Sequence, residues 1–158
     1  ALAKRGLTTD LNRPMFALMD PALAARYSQA PDYPDRAKEA LAEMVRQTGE
    51  AVFDDAGMMK RGVIVRHLAL PGQLSDSMSV LAYLHETYGE QIFLSIMNQY
   101  TPMPGIEKTF PELGRKLSAD EYDTLVDYAV LLGVENGFIQ EGDTAEESFI
   151  PPFDLEGV

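Results

Sequence analysis

The chain predicts an α/β fold with a mainly parallel sheet and flanking helices, and three observations carry that prediction. Two short apolar runs stand out, Gly62–Gly72 (GVIVRHLALPG) and Gln91–Met97 (QIFLSIM). Each is too short for a helix and too continuous for a half-exposed strand, which is the pattern of a strand buried on both faces of a parallel sheet. Amphipathic segments of helical period alternate with these runs. That alternation implies βαβ units with right-handed crossovers.

Residues 1–19 are weakly patterned, and Asn12-Arg13-Pro14 breaks any helix there. Asp20 caps a short helical stretch, Pro21–Tyr27, with proline at the favoured first position. The segment from Asp32 to Gly49 is the first long helix. Asp32 is its expected N-cap, Asp35 favours the positive end of the helix, and Ala37, Leu41, Met44, Val45 and Thr48 form an inner stripe. Gly49 ends it. Asp54-Asp55-Ala56-Gly57, flanked by Ala51–Phe53 and Met58-Met59, reads as a small hairpin.

The first buried strand follows and ends at Pro71-Gly72, a turn signal at the strand's carboxyl end, where open and barrel-like α/β sheets bind ligands. Ser75 or Ser77 is expected to open a helix reaching Tyr88, with Met78, Leu81, Ala82, Leu84 and Tyr88 on one side and Gly89 as its stop. The second buried strand runs into Asn98-Gln99-Tyr100 and a proline-bearing loop, Thr101–Gly105. Ser118-Ala119-Asp120-Glu121 is a capping box for a helix to about Leu132, stopped by Gly133. Gly137–Gln140 is a last short strand. Two firm strands and two weaker ones do not close a barrel, so the chain reads as part of a larger sheet.

The 158 residues fit one domain with a sizeable core, and 46% hydrophobic with 24% charged residues is ordinary for a globular protein. No run approaches the roughly 18 apolar residues of a membrane span, and no signal-peptide pattern opens the chain, so a cytoplasmic location is expected. A net charge of −12 argues against nucleic acid or an anionic membrane as partner. The chain has no cysteine, which excludes disulfides, zinc–thiolate sites, a cysteine nucleophile and a cluster held by its own thiolates. His67 and His85 are the only histidines, and no metal-binding, nucleotide-binding or hydrolase motif is present.

Arg66 and His67 are the leading site candidates. As neighbours on a strand they point to opposite faces, so at most one faces the sheet's interior; a buried pair satisfied by carbonyls and carboxylates is the plain alternative. Tyr100, just past a strand, is placed to line a site. The acidic pairs Asp54-Asp55, Asp120-Glu121 and Glu146-Glu147 read as solvated loops and helix starts, His85 as an exposed cation near a helix end, and the eight methionines, mostly in apolar stripes, as core rather than a metal or ligand surface. The acidic segment 141–158 carries Phe149-Ile150-Pro151-Pro152-Phe153, either a strap over the body or a docking strand.

Several segments match a known family in order: Asp20-Pro21-Ala22-Leu23-Ala24-Ala25-Arg26-Tyr27-Ser28, Ala30-Pro31-Asp32-Tyr33-Pro34, Arg61 to Gly72 with its Val-Arg-His and Leu-Pro-Gly, Ser95 to Tyr100, and Arg115 to Tyr122. Over residues 20 to about 140 the chain resembles the carboxyl-terminal half of radical S-adenosylmethionine proteins related to the pyruvate formate-lyase activating enzyme. The resemblance implies half of a partial (β/α)6 TIM-like barrel. It also implies S-adenosylmethionine and a [4Fe–4S] cluster in the full-length enzyme, and oxidoreductase chemistry by hydrogen abstraction. By position it places Arg66 or His67 against S-adenosylmethionine, Arg66 to meet a carboxylate and His67 ribose or adenine. Asn98, Gln99 and Tyr100 fall at the rim or on the substrate side.

The family's three-cysteine motif lies in the half this chain lacks. Where members carry an aspartate and a lysine just before Asp20, the chain has Pro14-Met15-Phe16-Ala17-Leu18-Met19. Residues 1–19 therefore form a poorly matched segment, and the chain alone is expected to be inactive. The expected partners are a glycyl radical enzyme or another protein substrate. A homodimer through the exposed sheet edge, or capping of that edge by residues 1–19 or the tail, is also expected. A non-catalytic interaction domain that has lost the cluster is the alternative.

Overall fold

The computed structural model describes residues 10–140 and the backbone of a short strand at Glu147–Phe149. The strands are β1 (Leu11–Asn12), β2 (Val52–Phe53), β3 (Met59–Leu68), β4 (Phe93–Met97), β5 (Gly137–Gln140) and β6 (Glu147–Phe149). The helices are α1 (Pro21–Ser28), α2 (Tyr33–Thr48), α3 (Leu74–Tyr88) and α4 (Ala119–Leu132). The sheet order is β1-β3-β4-β5-β6, with β2 joined to β3. β1, β3, β4 and β5 are parallel, while β2 and β6 pair antiparallel with β3 and β5. The two apolar runs lie side by side and point the same way, with Arg66 opposite Ser95 and His67 opposite Ile96.

Strand periodicity assigns the two faces. Val63, Val65 and His67 of β3, with Leu94 and Ile96 of β4, face the helices. They share one core with Leu41 of α2, Val80, Leu81 and Leu84 of α3, and Tyr122, Leu125 and Ala129 of α4. Ile64, Arg66 and Leu68, with Phe93, Ser95 and Met97, face the other way. On that second face Phe93 meets Phe53 and Phe138, at ring separations of 5.4 and 5.8 Å. Crossover helices α2, α3 and α4 therefore all cover one side of the sheet.

The local signals explain most boundaries. Asp20 caps α1 by accepting from the Ala22 N–H at 2.8 Å, and the Ser118–Glu121 capping box is complete. Asp32 sits at the N-cap of α2, but its carboxylate reaches Arg36 at 3.6 Å rather than the backbone. Neither Ser75 nor Ser77 opens α3; the helix starts at Leu74 after Gln73, and Ser77 is buried instead. β4 begins two residues later than the apolar run because Gly89–Gln91 form a 3-10 turn. Gly62 has φ +134°, and a Cβ there would stand 3.1 Å from the Ala51 Cα. Glycine lets β3 change partners at that point, from β2 to β1 and β4.

The weakly patterned segment is part of the fold from residue 10 onward. β1 pairs with Gly62 and Val63, Met15 bridges to Arg66, and Phe16 and Leu18 are buried. Residues 11–16 thus lie along the outer edge of β3, where the sequence left an edge to be capped. Residues 1–9 and the Phe149–Phe153 side chains of the tail lie outside the described residues.

Candidate functional site

A cleft of about 730 Å³ opens where β4 and β5 end, the carboxyl side of the parallel strands. Asn98, Gln99, Tyr100 and Thr101 form one wall, and Lys116 to Ala119, Tyr122, Asp123 and Val126 form the other; Ile139 and Gln140 lie between them. The three rim residues singled out in the sequence are therefore together in one concave site. They are there because β4 stops at Met97 and the chain turns outward, while the capping box starts α4 beside it.

The floor is held by a hydrogen-bonded chain. Tyr122 donates its hydroxyl to the Ile96 carbonyl at 2.6 Å and accepts from the Gln140 N–H at 2.8 Å. Gln140 Oε1 accepts from the Asn98 N–H at 2.9 Å, and the Tyr100 hydroxyl donates to the Leu113 carbonyl at 2.8 Å. Partial burial pushes the Tyr100 hydroxyl's pKa up, so it stays a neutral donor. The side-chain amides of Asn98 and Gln99 carry no hydrogen bond among the described residues.

Arg66 and His67 are in neither wall of this cleft, and they do not share one site. His67 is 1% exposed. Its Nδ1 lies 2.8 Å from the Phe16 carbonyl and its Nε2 2.9 Å from Ser77 Oγ. A carbonyl only accepts, so Nδ1 bears the proton and the Ser77 hydroxyl donates to Nε2. Burial lowers the His67 pKa, against the opposing pull of the Phe16 carbonyl and Asp76, which favours the neutral ring. Both ring nitrogens are used within the protein, so neither is left for a ribose or adenine. Arg66 projects from the opposite face, half-buried, with no ion pair or side-chain hydrogen bond among the described residues. The expected rim of Arg66, His67 and Asn98 is thus divided by the two-residue period of β3.

Sequence reasoning missed the groups that make the rim rigid. Asp76 receives the N–H groups of Met19 (3.1 Å) and Asp20 (2.8 Å), tying the segment before α1 to the start of α3. Glu121 does more than complete a capping box: its carboxylate accepts from Gly72 N–H at 2.9 Å and from the two terminal nitrogens of Arg115 at 2.7 and 2.8 Å. The Arg115 guanidinium, first, and the Ser118 and Gly72 N–H groups hold its pKa far below the usual carboxylate range. The turn after β3 is also fixed on its other side. Gln73 donates to the Tyr27 hydroxyl, which donates to Glu112 at 2.6 Å, and Arg26 pairs with Glu112 at 2.8 Å. Burial and the Glu112 carboxylate push the Tyr27 hydroxyl up to about 12. Only the Ser-x-x-Glu spacing pointed to any of this; the long-range partners left no local signal.

No group of three or more histidine, aspartate or glutamate side chains able to hold a metal occurs among the described residues. His85 is half-buried near the end of α3, within reach of Gly133 rather than of the cleft. No helix among the described residues is long and apolar enough to cross a membrane. No family model, curated protein or solved structure matches the chain.

Proposed function

We propose that this chain is the carboxyl-terminal portion of a radical S-adenosylmethionine protein of the pyruvate formate-lyase activating-enzyme type, and that it helps seat S-adenosylmethionine and substrate. One observation carries the reading. Four parallel strands follow in sequence order with their crossover helices on a single side, which supports a barrel wall over a doubly wound sheet, since the latter reverses its order and has helices on both faces. The helix-free face then corresponds to a barrel interior, with Arg66 on it, and the cleft at the strand ends to its upper rim.

The residues present fit part of what such a protein binds. Arg66, without an ion-pair partner among the described residues, offers a fork of donors to a carboxylate, and Asn98 and Gln99 offer both donors and acceptors. They do not fit a [4Fe–4S] cluster, since the chain has no thiolate. In this reading the cluster belongs to another part of the parent protein, and this chain has no radical chemistry by itself. His67 acts as a positioning residue that fixes the strand bearing Arg66.

The second reading is an interaction domain without catalysis. It is favoured by the lack of cysteine and by the exposed apolar hairpin side chains Val52, Phe53 and Met58. Calorimetric titration with S-adenosylmethionine separates the two. Saturable binding that weakens in Asn98→Ala and Gln99→Ala supports the first; no heat of binding supports the second.

A further inference from the structure

We propose that the cleft at the ends of β4 and β5 binds a zwitterion of the α-amino-acid class, with its carboxylate at Lys116 and its ammonium group at Asp123. The helix stripe identifies the acid. Ala119, Tyr122, Asp123 and Val126 line the cleft, with the i, i+3, i+4, i+7 spacing of one helix face. Of the acids in α4, Asp120 and Asp127 lie off that stripe, and the Glu121 carboxylate is engaged by Gly72, Ser118 and Arg115. Lys116 is the one cation among the described residues of the lining. Neither Lys116 nor Asp123 has an ion-pair partner among the described residues. A simple anion would meet repulsion from Asp123, and a simple cation repulsion from Lys116. A ligand with both charges satisfies both.

Gln140 supplies an independent observation. It is only 5% exposed, and its Oε1 is committed to the Asn98 N–H. That bond sets the amide's orientation, because a backbone N–H requires the oxygen. The Gln140 NH₂ group therefore faces away from Asn98, and it has no acceptor among the described residues. Among those residues no fully buried side-chain polar atom lacks a partner, so this nitrogen opens onto the cleft that Gln140 lines. It presents fixed donors to a carboxylate oxygen. Leu117, Val126 and Ile139 add apolar surface suited to an aliphatic side chain. The inference stands apart from the reading in the preceding subsection. A free amino acid and a larger metabolite ending in the same head group share this chemistry.

The test is titration of the full chain with L-leucine, acetate, methylammonium and S-adenosylmethionine, followed by calorimetry and by the NMR signals of the Gln140 side-chain amide and the Asn98 N–H. L-Leucine is expected to bind saturably and shift both signals, with acetate and methylammonium each at least about tenfold weaker. Lys116→Met and Asp123→Asn, both at exposed positions, are expected to weaken L-leucine about tenfold without moving the urea midpoint. Binding of S-adenosylmethionine alone, with the same dependence on Lys116 and Asp123, assigns the larger metabolite as the source and moves its carboxylate from Arg66 to Lys116. Binding of L-leucine alone supports this inference while overturning the preceding reading. The inference is overturned if neither zwitterion shifts the cleft signals, if acetate binds as tightly as either, or if both substitutions leave affinity unchanged.

Discussion

The two faces of β3 treat neighbouring residues in opposite ways. His67 looks toward the helices, where every polar atom it brings is matched: a carbonyl before α1 on one nitrogen and a hydroxyl of α3 on the other. Arg66 looks toward the face that no described helix covers, and its guanidinium has no ion pair or side-chain hydrogen bond among the described residues. Such a difference separates a group that builds the fold from one left available to a ligand. It also predicts that substitutions one residue apart will have unrelated consequences.

His67→Ala tests the fold side most severely. It opens a cavity and strands the Phe16 carbonyl and Ser77 hydroxyl in the core, so a loss of about 4 kcal/mol in urea denaturation is expected. Gly62→Val, at φ +134° and against Ala51, is expected to lose about 2–3 kcal/mol. Glu121→Ala removes a capping box and the brace on Gly72, for about 1–2 kcal/mol. Arg66→Met, which breaks no bond within the described protein, is expected to change stability by less than about 0.5 kcal/mol.

Acid titration sharpens the same contrast. His67 has a lowered pKa in the fold, so the unfolded chain takes up the proton first. Its contribution is complete above an unfolded value of about 6.5 and is lost as pH falls below it, by up to about 1.4 kcal/mol per pH unit. Glu121 is also held low, so its contribution is present above an unfolded value of about 4.3 and declines only below that. Subtracting the urea stabilities of His67→Gln from those of the unsubstituted protein at each pH should leave a difference that shrinks between pH 6.5 and 5. A flat difference there would show that His67 is not held neutral.

Much of the sheet was legible because its signals are local. Two continuous apolar runs, an Asp-Asp-Ala-Gly hairpin and glycine stops at Gly49, Gly89 and Gly133 each act within a few residues, and all appear where expected. β1 was not legible: its two residues are strand only because the β3 edge pairs with them, and Asn12-Arg13-Pro14 locally reads as a break. Tyr100 was found from its place after a strand, whereas Asn98 and Gln99 came only from the family resemblance. Gln140, Lys116 and Asp123 were not, because what brings them together is the packing of α4 over the ends of β4 and β5. Ser77 had the composition of a cap, and its long-range bond to His67 overrode that local preference.

The affinity of Arg66→Met for S-adenosylmethionine is the most direct test, measured beside the unsubstituted chain at matched folded fraction. Binding should fall at least about tenfold while the urea midpoint stays in place. Equal affinity in the two proteins would remove Arg66 from any ligand and contradict the assignment of the helix-free face.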